Sequence, residues 1–198
     1  MADPKPIFDG RRLRVFDAEF SKRSPFSNNH LWIAKGAFGS GEHETTAMCL
    51  QLLEECLLEG KTALDLGTGT GILAIAAIKL GCERVVAVDP SSQAMETCRQ
   101  NARLNGVEER IEFVEGELKD LSPDSRFNLI MANLYGHLLD KLIPQLCGML
   151  EPGGAMVLSG MLYGEDFSII RQAEKLGVIT ERRLGGEEYL AFGMRKVV

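Results

Sequence analysis

Apolar residues in this chain fall into two regimes. Residues 1–40 are mixed and interrupted by Pro4, Pro6, Pro25 and the run SNNH, and RRLRVFD reads there as a short strand. From residue 43 the spacing becomes regular. HETTAMCLQLLEECLLEG sets Met48, Leu52, Leu53 and Cys56 near one face, which predicts an amphipathic helix ending at Gly60. Continuous apolar runs then alternate with helical ones. TALDL, RVVAVD, IEFVEG, FNLIMAN and AMVLSG predict strands, and PGG reads as the turn into the last of them. ILAIAAIKLG, SSQAMETCRQNARLNG, HLLDKLIPQLCGML and FSIIRQAEKLG predict helices, the second with Ser91 as N-cap and Gly106 past its end. VITERRLGG and EYLAFGMRKV form a predicted hairpin joined at Gly185 and Gly186.

Strands that are apolar on both faces, each followed by a helix, predict an α/β protein. The expected architecture is a doubly wound, mostly parallel seven-stranded sheet with helices on both faces and a C-terminal antiparallel hairpin. Residues 1–42 are expected to be an N-terminal extension or linker with a short strand, and 43–198 one domain. In such sheets ligands bind at the carboxyl ends of the strands, so functional residues are expected just after strands.

Composition works here by exclusion. The chain is 45% apolar and 25% charged, and no apolar run is long enough to span a membrane as a helix. Its N-terminus lacks the apolar core of a signal peptide, so a cytoplasmic protein is expected. The five cysteines are odd in number, widely spaced and without a C-x-x-C pair. Buried, reduced thiols on helices are expected rather than a disulfide framework or a metal site. A net charge of −6 argues against nucleic acid as a direct ligand. Residues 1–43 hold seven Lys/Arg against five acids, which reads as a solvated surface.

The candidate chemistry lies in KTALDLGTGTGILAIAAIKLG. Gly67, Gly69 and Gly71 are spaced G-x-G-x-G, whereas the hydride-transfer fingerprint is G-x-G-x-x-G and would need glycine where Ile72 stands. Asp65 directly precedes the loop. Its carboxylate would repel a pyrophosphate and suits a ligand carrying an ammonium. Asp89 ends the next strand, where a carboxylate can accept from both hydroxyls of a ribose. Glu117 follows the strand after that, within reach of an adenine amine. Ribose, adenine and ammonium without a phosphate site describe S-adenosylmethionine.

Beyond the glycine loop, GAFGSGEHETTAMCLQLLE, VDPSSQAMETCRQNARLNGV, ANLYGHLL and LEPGGAMVLSGML are informative. With these blocks the chain resembles class I S-adenosylmethionine methyltransferases of Rossmann-like fold. More narrowly, it resembles the catalytic domain of PrmA-type enzymes, which methylate amino groups of a ribosomal protein. The likeness covers about residues 8–198, and its discriminating block is F-G-x-G-x-H-x-T-T. It implies S-adenosylmethionine as cofactor, S-adenosylhomocysteine as product and a protein acceptor. It also implies that Thr46 touches the methionine end of the cofactor, Gly67 lines the loop, Asp89 holds the ribose and Asn133 faces the transferred methyl. Phe38 and His43 shape the same pocket in that reading. The residues agree in part. Thr45 and Thr46 open a helix, where hydroxyls and free N–H groups suit a carboxylate, although an N-cap without ligand is the alternative. The Asn133 amide oxygen can orient a substrate N–H, or Asn133 can simply form a turn. His43 is open between structural and functional roles.

Two local departures bear on the acceptor. Glu42 and Glu44 flank His43 where such enzymes carry T-H-P-T-T, and two acids at the pocket mouth favour a cationic substrate. Tyr135, in NLYG, is placed to stack on or wall off the acceptor. PrmA-type enzymes also carry an N-terminal domain that grips the ribosomal protein, and this chain begins near the linker that would follow it. A small-molecule or RNA methyltransferase on the same scaffold, or a non-catalytic cofactor-binding module, stays open at this level.

Overall fold

The computed structural model describes residues 4–21, 29–34 and 42–197. Seven strands form the main sheet: β4 (Thr62–Leu66), β5 (Arg84–Asp89), β6 (Ile111–Glu115), β7 (Phe127–Asn133), β8 (Leu150–Leu162), β9 (Val178–Gly185) and β10 (Tyr189–Lys196). Their order is β6-β5-β4-β7-β8-β10-β9, with β10 alone antiparallel to its neighbours. The helices α1 (Glu44–Glu54), α2 (Ile72–Lys79) and α3 (Ser92–Leu104) pack on one face, and α4 (Gly136–Met149) and α5 (Asp166–Lys175) on the other. Alternation along the strands serves both layers: Ala63, Leu129 and Met131 face the first, Leu64, Ile130 and Ala132 the second. The predicted α/β architecture and C-terminal hairpin are therefore present.

The N-terminal part is richer than one strand. Among the described residues, β1 (Phe8–Asp9), β2 (Arg14–Asp17) and β3 (His30–Ile33) form a second sheet, antiparallel between β1 and β2 and parallel between β2 and β3. Val15, Phe16, Leu31, Trp32 and Ile33 are all buried. Burial on both faces removes the polar alternation by which a short strand is recognised. Leu13, Val15, Leu31 and Ile33 share one apolar cluster with α1, α2 and α3.

Two other boundaries move. Helix α1 ends at Glu54 rather than near Gly60. The Arg12 guanidinium donates to the carbonyls of Glu54 at 3.1 Å and Cys56 at 3.4 Å, groups that another helical turn would have used, and to that of Leu80 at the end of α2 at 3.2 Å. The Glu54 carboxylate in return accepts from the N–H groups of Arg11, Arg12 and Leu13. Strand β8 begins at Leu150, so Pro152 and its two glycines lie inside it rather than forming a turn. A register shift opposite Phe127 and Leu129, with Gly153 at φ +74°, makes this stretch a bulge. Pro144 sits inside α4, and the Asp140 carbonyl it deprives of a helical partner accepts from Gln172 Nε2 at 3.3 Å.

Candidate active site

The order of strands reverses at β4, and the carboxyl ends of β4 and β7 open beside each other. The loop after β4 needs its glycines. Gly67, Gly69 and Gly71 have φ of +73°, +54° and +81°, a region L side chains rarely enter. Space forbids side chains as well. A Cβ on Gly67 would lie 2.5 Å from Leu134 Cδ2, and one on Gly71 2.5 Å from Cys98 Sγ. The first glycine thus lets the end of β7 approach the loop, and the third seats α3 against the start of α2.

Asp89 ends β5 with its carboxylate turned to this loop. Its Oδ2 accepts from Gly69 N–H at 3.0 Å and its Oδ1 from Ser91 N–H at 2.9 Å. Asp65 lies beneath the loop and is 1% exposed. Its Oδ2 accepts from Thr68 Oγ1 at 2.6 Å and from Ala74 N–H at 3.1 Å. Burial pushes its carboxyl up to about 6, against the pull of those two donors. The structure therefore shows Asp65 fastening the loop to α2. Thr68, which makes that bond, carries no signal in the sequence beyond its place in DLGTGTG. Glu117 follows β6 at the start of a short 3₁₀ turn, is solvent-exposed and pairs with Lys119 Nζ at 2.7 Å.

The head of α1 closes the other side. His43 is the N-cap: its Nδ1 accepts from Thr45 N–H at 3.4 Å and meets Thr45 Oγ1 at 2.9 Å. Thr45 and Thr46 lie inside the helix, both buried. Their hydroxyls accept from Asn133 Nδ2, at 3.1 and 3.4 Å. Among the described residues Asn133 Oδ1 accepts no hydrogen bond. The His43 ring packs edge-on against Tyr189, centroids 5.1 Å apart.

On the C-terminal side of His43, Glu44 reaches the C-terminal hairpin. The Glu44 carboxylate accepts from the N–H groups of Glu187, Glu188 and Tyr189, the turn between β9 and β10. The bonds from Glu188 and Glu187 hold its pKa below the ordinary carboxylate value. Its partners are far away in the chain, so no local pattern announces them. Glu42 is exposed. Tyr135 is 61% exposed at the N-cap of α4 and stacks on His137 with centroids 5.9 Å apart. Phe38 lies outside the described residues. The site therefore brings together Thr45, Thr46, Asn133, Asp89 and the glycine loop, while Glu44 and Glu117 have partners of their own.

Among the described residues no cluster of His, Cys, Asp or Glu could hold a metal ion, and no helix is long and apolar enough to cross a membrane. All five cysteines are free thiols; Cys56 is only partly buried, and both it and Cys82 fall in loops rather than on helices.

Known proteins with similar sequences bear on this arrangement. A ribosomal protein L11 methyltransferase of Marinobacter nauticus is 38% identical over 182 residues, 91% of this chain and 60% of that protein. Its counterpart from Pelobacter propionicus is 43% identical over 168 residues, 81% of this chain and 53% of that protein. The chain thus spans little more than half the length of these relatives. The crystal structure of the ribosomal protein L11 methylase from Lactobacillus delbrueckii subsp. bulgaricus superposes with a TM-score of 0.83 at 31% identity, covering 94% of this chain and 96% of that one. Residues 8–196 match the family described as ribosomal protein L11 methyltransferase (PrmA). With those residues spanning both sheets and all five helices, the chain belongs to the ribosomal protein L11 methyltransferase (PrmA) family.

Proposed function

We propose that this chain transfers a methyl group from S-adenosylmethionine to an amino group of a protein, a lysine or N-terminal amine of a ribosomal protein. A ribosomal acceptor places the reaction in the cytoplasm. The observation that carries the reading is the state of Asn133. Its amide nitrogen is committed to Thr45 and Thr46, so its oxygen is left as an acceptor at the end of β7. An acceptor-only oxygen is what a substrate N–H requires.

The residues present fit the cofactor. The loop at 67–71 has no basic side chain to answer a phosphate, and Asp89 retains lone pairs beyond those used by Gly69 and Ser91. The bound sulfonium would supply a methyl that is already activated. What remains for the protein is position and dryness. Asp89 would hold the two ribose hydroxyls, and the glycine loop would bring its backbone close to the nucleoside. Asp65 acts through Thr68 on the shape of that loop rather than by contact. Asn133 Oδ1 orients the N–H of the neutral amine so that its lone pair faces the methyl. An ordinary lysine has a pKa near 10.4, so its proton must leave first, and desolvation in the site favours that loss to water. Glu44, spent on backbone N–H groups, is not the base.

The test is transfer of tritium from labelled S-adenosylmethionine into a cell lysate, with protease or RNase added afterwards. Label that protease removes and RNase spares supports the proposal. Label released by RNase, or carried only by small molecules, overturns it.

A further inference from the structure

Asn101 and Asn105, the C-cap residue, stand one turn apart at the end of α3, 0% and 7% exposed; Asn105 meets β3 and Asn101 the residue just after it. Residues i and i+4 of a helix are roughly 6 Å apart along its axis, and residues i and i+2 of a strand roughly 6.6 Å. The two spacings nearly match, so two asparagines on one helix face can serve alternate residues of a strand edge. Here they do. Asn105 Oδ1 accepts from Trp32 N–H at 2.9 Å, and its Nδ2 donates to the Trp32 carbonyl at 2.7 Å. Asn101 Oδ1 accepts from Ala34 N–H at 2.8 Å, and its Nδ2 donates to the Ala34 carbonyl at 3.3 Å. Each side chain reads both backbone groups of one residue, as a neighbouring strand would. The outer edge of β3 is thereby covered by a helix.

The two amides differ in their last donor. That of Asn105 goes to the Asn101 carbonyl within its own helix, at 2.8 Å. That of Asn101 goes to the Thr70 carbonyl at 2.9 Å, inside the glycine loop. Thr70 lies between Gly69, whose N–H holds Asp89, and Gly71, which begins α2. One buried amide therefore ties three things: α3, the chain just after β3, and the loop that faces the nucleoside.

We propose that Asn101 is a positioning residue for cofactor binding, joining the seating of β3 to the placement of the glycine loop. The proposal rests on residues 67–71 being the cofactor loop. Asn105 makes the same bonds to the strand without touching the loop, which makes it the internal control.

The experiment compares Asn101→Asp with Asn105→Asp. Each keeps the size and the oxygen that accepts from the strand N–H, and each loses its donors. Both variants are expected to melt at lower temperature. Only Asn101→Asp is expected to raise the Kd for S-adenosylhomocysteine, by about tenfold or more, the effect of leaving a buried carbonyl without its donor. Its KM for the cofactor rises while kcat at saturating cofactor changes little. Hydrogen exchange at residues 69–71 is expected to quicken in Asn101→Asp alone. Equal effects in the two variants, or wild-type affinity and loop exchange in Asn101→Asp, overturn the proposal. Should the wild-type chain bind no S-adenosylhomocysteine, the cofactor reading fails, and loop exchange still decides whether Asn101 holds the loop. If the Asp variants do not fold, the Asn101→Ser and Asn105→Ser pair is read by the same criteria.

Discussion

Glu44 and Glu54 stand at opposite ends of α1, and each gathers the N–H groups of three consecutive residues from a turn distant in sequence. Glu54 holds the connection between β1 and β2, and Glu44 the connection between β9 and β10. One helix thus clasps the N-terminal sheet and the C-terminal hairpin together.

Replacing Glu44 with Gln puts an amide where three donors converge, and only its oxygen can accept. Glu44→Gln is expected to melt lower than wild type near neutral pH and to exchange faster at residues 187–189. The pH dependence has a definite sign. The folded-state pKa is depressed, so the contribution is present above the ordinary value of 4.5 and is lost as pH falls through the lower folded value. The gap between the two melting temperatures should close in acid. Because this carboxylate is taken up by the N–H groups of residues 187–189, the KM for an amine substrate should be unchanged.

Asp65 has the opposite sign. Its pKa is raised from 3.8 to about 6, so the folded protein binds this proton more tightly than the unfolded chain does. The group costs stability as pH rises between those values, by about 3 kcal/mol at most for a shift of this size. Asp65→Asn keeps an oxygen for Thr68 and Ala74 without the buried charge. Melting curves across pH should show a wild-type minus variant difference that grows more negative from pH 3.8 to about 6 and is flat above it.

Gly71→Ala combines a left-handed backbone, worth roughly 1–2 kcal/mol, with a contact against Cys98 Sγ. Adding Cys98→Ala removes the sulfur and leaves the backbone term. A double-mutant cycle by denaturant unfolding should therefore recover part of the loss. Strict additivity would mean that the sulfur moves aside without cost.

Asn133→Ala removes the acceptor oxygen and frees the hydroxyls of Thr45 and Thr46. A misplaced nucleophile slows transfer by about 10²-fold. Single-turnover rates should fall on that scale, while calorimetric Kd for S-adenosylhomocysteine changes far less. A variant that loses affinity and rate equally would make Asn133 a cofactor ligand only.

Much of this architecture was legible because its signals are local. The run from β4 to α4 shows apolar strands, N-caps and terminal glycines, each readable within a few residues. The strand β3 was hidden because three of its four residues are buried and its outer edge is completed by asparagines at the end of α3. The start of β8 was hidden because Pro152 and its glycines signal a turn and are used as a bulge. At the site, Asp89 and Asn133 were placed by the rule of strand ends. For Glu44 only the charge shows in sequence, whereas its partners lie on the far hairpin.

The anchoring of Asp89 by Gly69 and Ser91 has a consequence for the thermodynamics of association. Its rotamer is fixed before any nucleoside arrives, so little conformational entropy of this side chain is surrendered on complex formation. If Asp89 holds the ribose as proposed, the free and liganded loops should superimpose closely, the carboxylate being already in place.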